Sequence, residues 1–244
     1  MWPFSNTQKI KRSGVLQNFT DWHCHILPGV DDGVQTPAES LRILERYEQA
    51  GIREVWFTPH IMEDIPNTNE RLTQRFDELR AAYNGSLRLH LAAEYMLDNL
   101  FRQRLESGDL LPIGPSGNHL LVETSYFNPP SGLHALLRSI RSAGYMPVLA
   151  HPERYTYMDH DDYVRLKEDP IVFQLNLSSL VGLYGKHVQA KARKFLENGW
   201  YGLCGTDLHR LSMQERLWKS PIPKKLLPHA TTADGGTYRK VSPA

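Results

Sequence analysis

The feature that most constrains this chain is a repeating order: short β-rich runs alternate with longer helical ones over most of its length. NFTDWHCHIL leads into PAESLRILERYEQAG, where Leu41, Leu44 and Tyr47 fall on one helical face. REVWFTPH precedes NERLTQRFDELRAAY, and LRLHLAAE precedes NLFRQRLESG, with Gly51, Gly85 and Gly108 as stop signals. The order continues as HLLVET with SGLHALLRSIRSAG, YMPVLAH with DHDDYVRLKED, IVFQLNL with GKHVQAKARKFLENG, and WYGLCGTD with a last helical piece near QERLW. Strict alternation predicts a parallel sheet. About seven such units in 244 residues suit a closed or distorted barrel better than an open doubly wound sheet.

Composition then narrows the function classes. With 28 basic against 27 acidic residues the formal charge is +1, which offers no footprint for nucleic acid and no basic surface for a membrane. No apolar run is long enough to insert in a bilayer, and MWPFSNTQKIKRSG lacks the apolar segment of a signal peptide. Two cysteines, Cys24 and Cys204, are too few for a disulfide framework, so a reducing compartment and a cytoplasmic location are expected. Trp2, Pro3 and Phe4 read as a poorly ordered terminus and KKLLPHATTADGGTYRKVSPA as a surface extension.

The chemistry-bearing residues sit where β-runs end, the rim at which a parallel barrel assembles its site. His23 and His25 close the first run, His60 the second, Glu94 the third, Glu123 the fourth, His151 the fifth, and Asp207 with His209 the seventh. His23 and His25 are two apart and project to one face, with Cys24 on the other. Asp207 and His209 do the same if the chain stays extended there. Asp31 and Asp32 follow in the turn PGVDDGV, where spacing does not decide which of them faces the histidines. Imidazoles and carboxylates without thiolates suit divalent Mn, Fe or Zn in a catalytic site. Paired ions of that kind activate water and clamp the oxygens of a phosphoryl group. His90, His119, His134, His160 and His187 read as ordinary polar residues.

Together DWHCHILPGVDDG, TPH, AAE, LLVET, AHPERY and GTDLH resemble the polymerase-and-histidinol-phosphatase (PHP) superfamily, and more narrowly its bacterial capsule and exopolysaccharide tyrosine-protein phosphatases. The likeness runs from about residue 20 to 212. It implies a distorted TIM-like (β/α)7 barrel over residues 19–220, with 1–18 an extension and 221–244 a tail. It also implies two or three divalent ions, manganese before iron or zinc, and hydrolysis of phosphotyrosine on a partner tyrosine kinase of polysaccharide export. Residue by residue, it places His23, His25 and Asp207 on a first metal, with Glu94 bridging to a second that Glu123 and His151 complete. Asp32, His60 and His209 would hold a third. Arg154, Asp207 and His209 are the expected catalytic residues, and Arg154 and Arg210 the substrate-binding ones.

Two departures from the family pattern stand out. The basic run after the TPH-type histidine is replaced by IMEDIPN, and the arginine five residues after the last histidine by Gln214. Three other readings compete. Cys204 and Arg210 have the Cys-five-Arg spacing of cysteine-dependent phosphatases, although Asp207 would put a negative charge into the loop that receives phosphate. The same metal set would serve a small sugar or histidinol phosphate, or an amidohydrolase, although no lysine sits at a strand end as a carbamylated bridge. A non-enzymatic metal-binding assembly partner of the export kinase is the third.

Overall fold

The computed structural model describes residues 6–227 and residue 230. Its strands are β1 (Thr7–Lys9), β2 (Thr20–Cys24), β3 (Glu54–Phe57), β4 (His60–Ile61), β5 (Arg88–Leu91), β6 (Glu94–Met96), β7 (His119–Glu123), β8 (Met146–Ala150), β9 (Val172–Asn176), β10 (Tyr201–Gly205) and β11 (Pro221–Pro223). Its helices are α1 (Pro37–Ala50), α2 (Asn69–Ala82), α3 (Asn99–Ser107), α4 (Leu133–Ser142), α5 (His160–Glu168), α6 (Leu177–Leu180), α7 (Lys186–Glu197) and α8 (Leu211–Lys219). The helices begin and end on local chemistry. In α1, Thr36 accepts from the Glu39 N–H, Pro37 occupies the first turn, and Gly51 closes the helix at φ 90°.

The strand order is β2-β3-β5 in one sheet and β10-β9-β8-β7-β6-β4 in another, with every pairing parallel. The two sheets form one barrel because β3 and β4, and likewise β5 and β6, are successive pieces of interrupted strands. Pro59 stands in the first break, where it has no N–H to give a ladder. The barrel closes where the Asp207 N–H meets the His23 carbonyl at 2.7 Å and the His25 N–H meets the Leu208 carbonyl at 2.9 Å. Gly205 permits that closure, since a Cβ there would lie 2.5 Å from the His23 Cβ. Among the described residues this gives seven strand positions, the distorted (β/α)7 barrel that the alternation and the family likeness imply.

Alternate residues of each strand separate two apolar layers. Trp22, Trp56, Leu121, Val148, Ala150 and Leu203 cluster inside the barrel, with Trp22 and Trp56 stacked at 5.7 Å. Val55, Phe57, Leu120, Val122, Leu149 and Phe173 join the larger layer under the helices. The pairing of β2 with β3 shifts register between Asp21 and Cys24. That shift lets Trp22 enter the interior while the next residue, His23, still points at the rim.

Three local expectations differ from the structure. The helical turn α6 follows β9 directly, where no helix was expected, and Asn176 caps it by accepting from the Ser178 N–H. The chain is not extended from Asp207, which sits at φ 51°. Parts of both flanks are packed rather than superficial: β1 pairs antiparallel with β11, and Ile10, Ile222 and Leu226 are buried. Apolar side chains in polar surroundings at 10 and 222 supply the burial that overrides the loop-like composition. Trp2, Pro3 and Phe4, and the tail from 231 onward, lie outside the described residues. No helix among the described residues is long and apolar enough to cross a membrane.

Candidate metal centre

Among the described residues the C-terminal rim of the barrel gathers nine side chains into four overlapping groups. These are His25, Asp32, His60 and His209; His23, His25 and Asp207; His23, Glu94 and His151; and His60, Glu94 and Glu123. Within each group the ligand atoms lie within 4.8 Å of one another. The nine are the residues that the sequence places at strand ends and in the DDG turn. Their grouping is more interleaved than the three separate sets expected: His25 adjoins the third set, and His60 reaches Glu123 at 3.1 Å.

Glu94 is the hub. Its Oε2 lies 3.1 Å from His23 Nε2, 3.2 Å from His25 Nε2 and 3.2 Å from His60 Nδ1, while Oε1 lies 3.2 Å from His151 Nε2. Burial alone would neutralise this carboxyl, but His23 and the other imidazoles hold it well below the usual carboxylate range. Neither Glu94 oxygen, nor His60 Nδ1, is in a well-directed hydrogen bond. Buried polar atoms left this way are costly unless a cation sits between them.

Hydrogen bonds behind the cluster set the imidazole tautomers. His23 Nδ1 donates to Gln174 Oε1 at 2.9 Å, His25 Nδ1 to Asp31 Oδ2 at 2.8 Å, and His209 Nδ1 to the Asp207 carbonyl at 2.9 Å. Each imidazole, when neutral, then presents its Nε2 lone pair to the cluster, where the Nε2 atoms of His23 and His25 are only 3.0 Å apart. Lone pairs facing each other and a carboxylate fit divalent cations. All nine donors are nitrogen or oxygen, which suits Mn, Fe or Zn.

Asp31 and Asp32 divide the labour that spacing left open. Asp32 is exposed at the rim, 3.4 Å from His209 Nε2, and its carboxyl is lowered to about 2 chiefly by that contact. Asp31 faces inward and accepts from His25 Nδ1, from the His60 N–H at 3.0 Å and from the Gly33 N–H at 2.9 Å. It orients two ligands at once. Asp31→Asn is therefore expected to weaken metal affinity by about 10–100-fold without unfolding the chain, measured by metal titration alongside a thermal melt. Unchanged affinity would remove Asp31 from the support of the site.

In the metal-free chain protons stand in for the missing positive charge. At His23, burial opposes protonation, but Glu94 and Asp207 outweigh it and raise the imidazole to about 9. At His60 burial is outweighed by Glu123 and Glu94, giving about 10. Both exceed the ordinary value of 6.5. Their contribution to stability is thus complete below about pH 6.5 and is lost as the pH rises through 9 and 10. The melting temperature of chelator-treated protein should fall from pH 7 to pH 10, and added divalent metal should flatten that fall. A rising metal-free curve would contradict the protonated cluster.

Two left-handed residues shape the rim, His151 at φ 32° and Asp207 at φ 51°. Strain of this kind, of order 1–3 kcal/mol each, collects at functional sites. The turn at Asp207 brings its Oδ1 3.6 Å from His23 Nε2 and 3.5 Å from His209 Nδ1. The two residues therefore converge by folding back rather than by the alternation of an extended strand.

A cavity of about 540 Å³ opens over the cluster, walled by Met62, Met96, Tyr126, Phe127, Tyr184 and Met213. Arg154 reaches into it from the turn Pro152–Arg154. Its guanidinium lies 4.2 Å from the Tyr126 ring centre and 4.3 Å from that of Tyr184, and Nη1 donates to Asp207 Oδ2 at 2.7 Å. Glu153, fully buried, accepts from the Asn176 N–H and the Tyr201 hydroxyl and so anchors that turn. Gln174, Tyr126, Tyr184 and Glu153 escaped the sequence reading. Only Glu153 carried a signal, a charged residue inside the HPERY motif.

Other expected residues lie elsewhere. Arg210 is exposed and lines a neighbouring cleft, not this cavity, because α8 starts immediately after it and turns its side chain away from the cluster. Gln214 is buried under α1, donating to the Ile43 carbonyl at 3.2 Å. The IMEDIPN segment makes a tight turn, Met62 pairing with Ile65 through both backbone bonds, so that of its residues Met62 lines the cavity. Cys204 is packed in β10 within the outer core layer, and burial pushes the Cys24 thiol well above its ordinary value. Neither thiol meets the cavity, which removes the geometric basis of the cysteine reading. His90 stacks on Trp56 at 4.5 Å and His160 on Trp200 at 5.6 Å.

Comparison with known proteins places this geometry. Residues 19–220 match the family described as capsular polysaccharide synthesis, CpsB/CapC. Tyrosine-protein phosphatase YwqE of Bacillus subtilis is 27% identical over 205 residues, covering 78% of this chain and 77% of its own. Tyrosine-protein phosphatase CpsB of Streptococcus pneumoniae is 26% identical over 208 residues, covering 78% and 83%. A structure from work on those two proteins, described as unique metal-dependent tyrosine phosphatases, superposes with a TM-score of 0.71 at 23% identity over 90% of this chain and 88% of that one. The phosphotriesterase homology protein from Escherichia coli shares the architecture at a TM-score of 0.50 and 12% identity, over 82% and 86%. The chain belongs to the CpsB/CapC family of capsular polysaccharide synthesis proteins.

Proposed function

We propose that the chain is a metal-dependent protein-tyrosine phosphatase, with a phosphorylated tyrosine kinase of polysaccharide export as its substrate. The observation that carries the reading is a nest of five imidazoles and four carboxylates on the floor of a cavity whose mouth holds an arginine between two tyrosine rings. His23, His25, Glu94 and Asp207 would hold one cation, Glu94, Glu123 and His151 a second, and Asp32, His60 and His209 a third, with manganese the favoured ion. Divalent cations so held activate water and neutralise charge on the phosphoryl group. The chain's own residues then bind and orient. Arg154 presents a planar fork to phosphate oxygens, kept rigid by Tyr126, Tyr184 and Asp207. The methionine and aromatic wall accepts a flat aryl ring, the property that favours phosphotyrosine over a sugar or histidinol phosphate. The relatives named as tyrosine-protein phosphatases support the same substrate class.

The test is hydrolysis of an aryl phosphate by purified protein before and after chelation, with Mn added back, beside Cys204→Ser. Loss on chelation, rescue by metal and an active Cys204→Ser variant are expected. Chelator-resistant turnover with a folded but inactive variant would restore the thiol mechanism, and tight metal binding without turnover on any phosphoester would favour the assembly partner.

A further inference from the structure

A second cleft, of about 320 Å³, lies beside the catalytic cavity and shares Tyr184 and Met213 with it. Arg210, Arg216, Ser212 and Ser178 supply its polar lining. Both arginines are exposed, and neither forms an ion pair with a carboxylate among the described residues. Ser178 is fully buried, and its Oγ has no hydrogen-bond partner there. Two guanidiniums without a counter-charge, lining one cleft beside the cavity, form a receptor for an anion. Among the described residues Arg154 is the one arginine or lysine lining the catalytic cavity, whose floor carries four carboxylates. Beyond the cations that the floor would hold, a second anionic group on a substrate meets no other basic side chain in the cavity and finds its nearest counter-charge in the two arginines beside it. The Tyr184 ring, stacked on Arg154 at 4.3 Å, joins the two spaces.

We propose that this cleft is a subsite for a second anionic group of the substrate, a carboxylate or phosphate on the same peptide as the phosphotyrosine in the cavity; this rests on the phosphatase reading above. The subsite makes the enzyme selective for acidic sequence context, with Arg210 and Arg216 acting on the substrate flank and not on the scissile phosphate. Its test is binding of two peptides that carry a non-hydrolysable phosphonate mimic of phosphotyrosine, one with neutral flanks and one with acidic flanks, to the metal-loaded full chain. Wild type should prefer the acidic peptide by about tenfold, a preference that added salt reduces. Arg216→Glu should erase the preference while leaving hydrolysis of a simple aryl phosphate unchanged. Equal binding of both peptides by wild type, a preference that survives Arg216→Glu, or a matching loss on the aryl phosphate would each overturn the subsite. The phosphatase reading fails separately, if wild type shows no metal-dependent hydrolysis while the binding preference stands.

Discussion

Glu94→Gln is expected to lose metal and to lower kcat/KM on an aryl phosphate by about 10³-fold. Glu94 belongs to two of the four ligand groups, and its two oxygens lie 3.1–3.2 Å from four different imidazoles. Gln keeps the shape but replaces one oxygen by an amide nitrogen, which cannot ligate a cation. The charge on the floor also falls by one. Cation stabilisation of the phosphoryl transition state is worth several kcal/mol. At about 1.36 kcal/mol per tenfold, losing it gives the stated factor. The fold should survive, because the barrel closes through the backbone bonds at His23, His25, Asp207 and Leu208 rather than through Glu94. Metal content by elemental analysis, turnover and a melt in chelator are the three readings. Full metal content with unchanged turnover would defeat the assignment of Glu94.

Arg154→Ala should behave in the opposite way, keeping its metal while losing about 10²-fold in kcat/KM, mostly through KM. The side chain contacts Asp207 but is absent from the four ligand groups. Asp207 also keeps its hydrogen bond from Asn176 at 2.7 Å. Arg154→Lys should rescue little, since a lysine ammonium neither stacks as a plane between Tyr126 and Tyr184 nor offers a two-pronged fork. The inhibition constant of inorganic phosphate is the direct reading and should rise in both variants. Metal loss in step with activity would show that Arg154 supports the cluster instead of binding phosphate.

Much of the site was legible because its encoding is local. Six of the seven β-runs end in a His, Glu or Asp, and parallel strands of one barrel bring all such ends to one rim. A separation of two puts His23 and His25 on one face and Cys24 behind, against the Trp56 carbonyl. The same local rule misjudged Asp207 and His209, which meet through a left-handed turn, and it had no means of ranking Asp31 against Asp32. Arg210, expected to replace the positive charge of the family arginine that is Gln214 here, is carried by the start of α8 to the adjoining cleft.

The sequence by itself determined the order of strands and helices, the barrel class, and eight of the nine side chains that meet, Asp32 being singled out from Asp31 only by the family likeness. Period and spacing act over a few residues, and parallel topology does the rest. The tertiary structure alone decided how those side chains interleave, with Glu94 at the hub, Gln174 and Asp31 orienting imidazoles, and Arg154 held between Tyr126 and Tyr184. It also decided the pairing of β1 with β11 across most of the chain's length. The physical reason is range. Residues 126, 154, 184 and 207 come from different loops, and their distances are set by barrel closure at Gly205 and by long-range packing, for which no short stretch of chain carries a pattern.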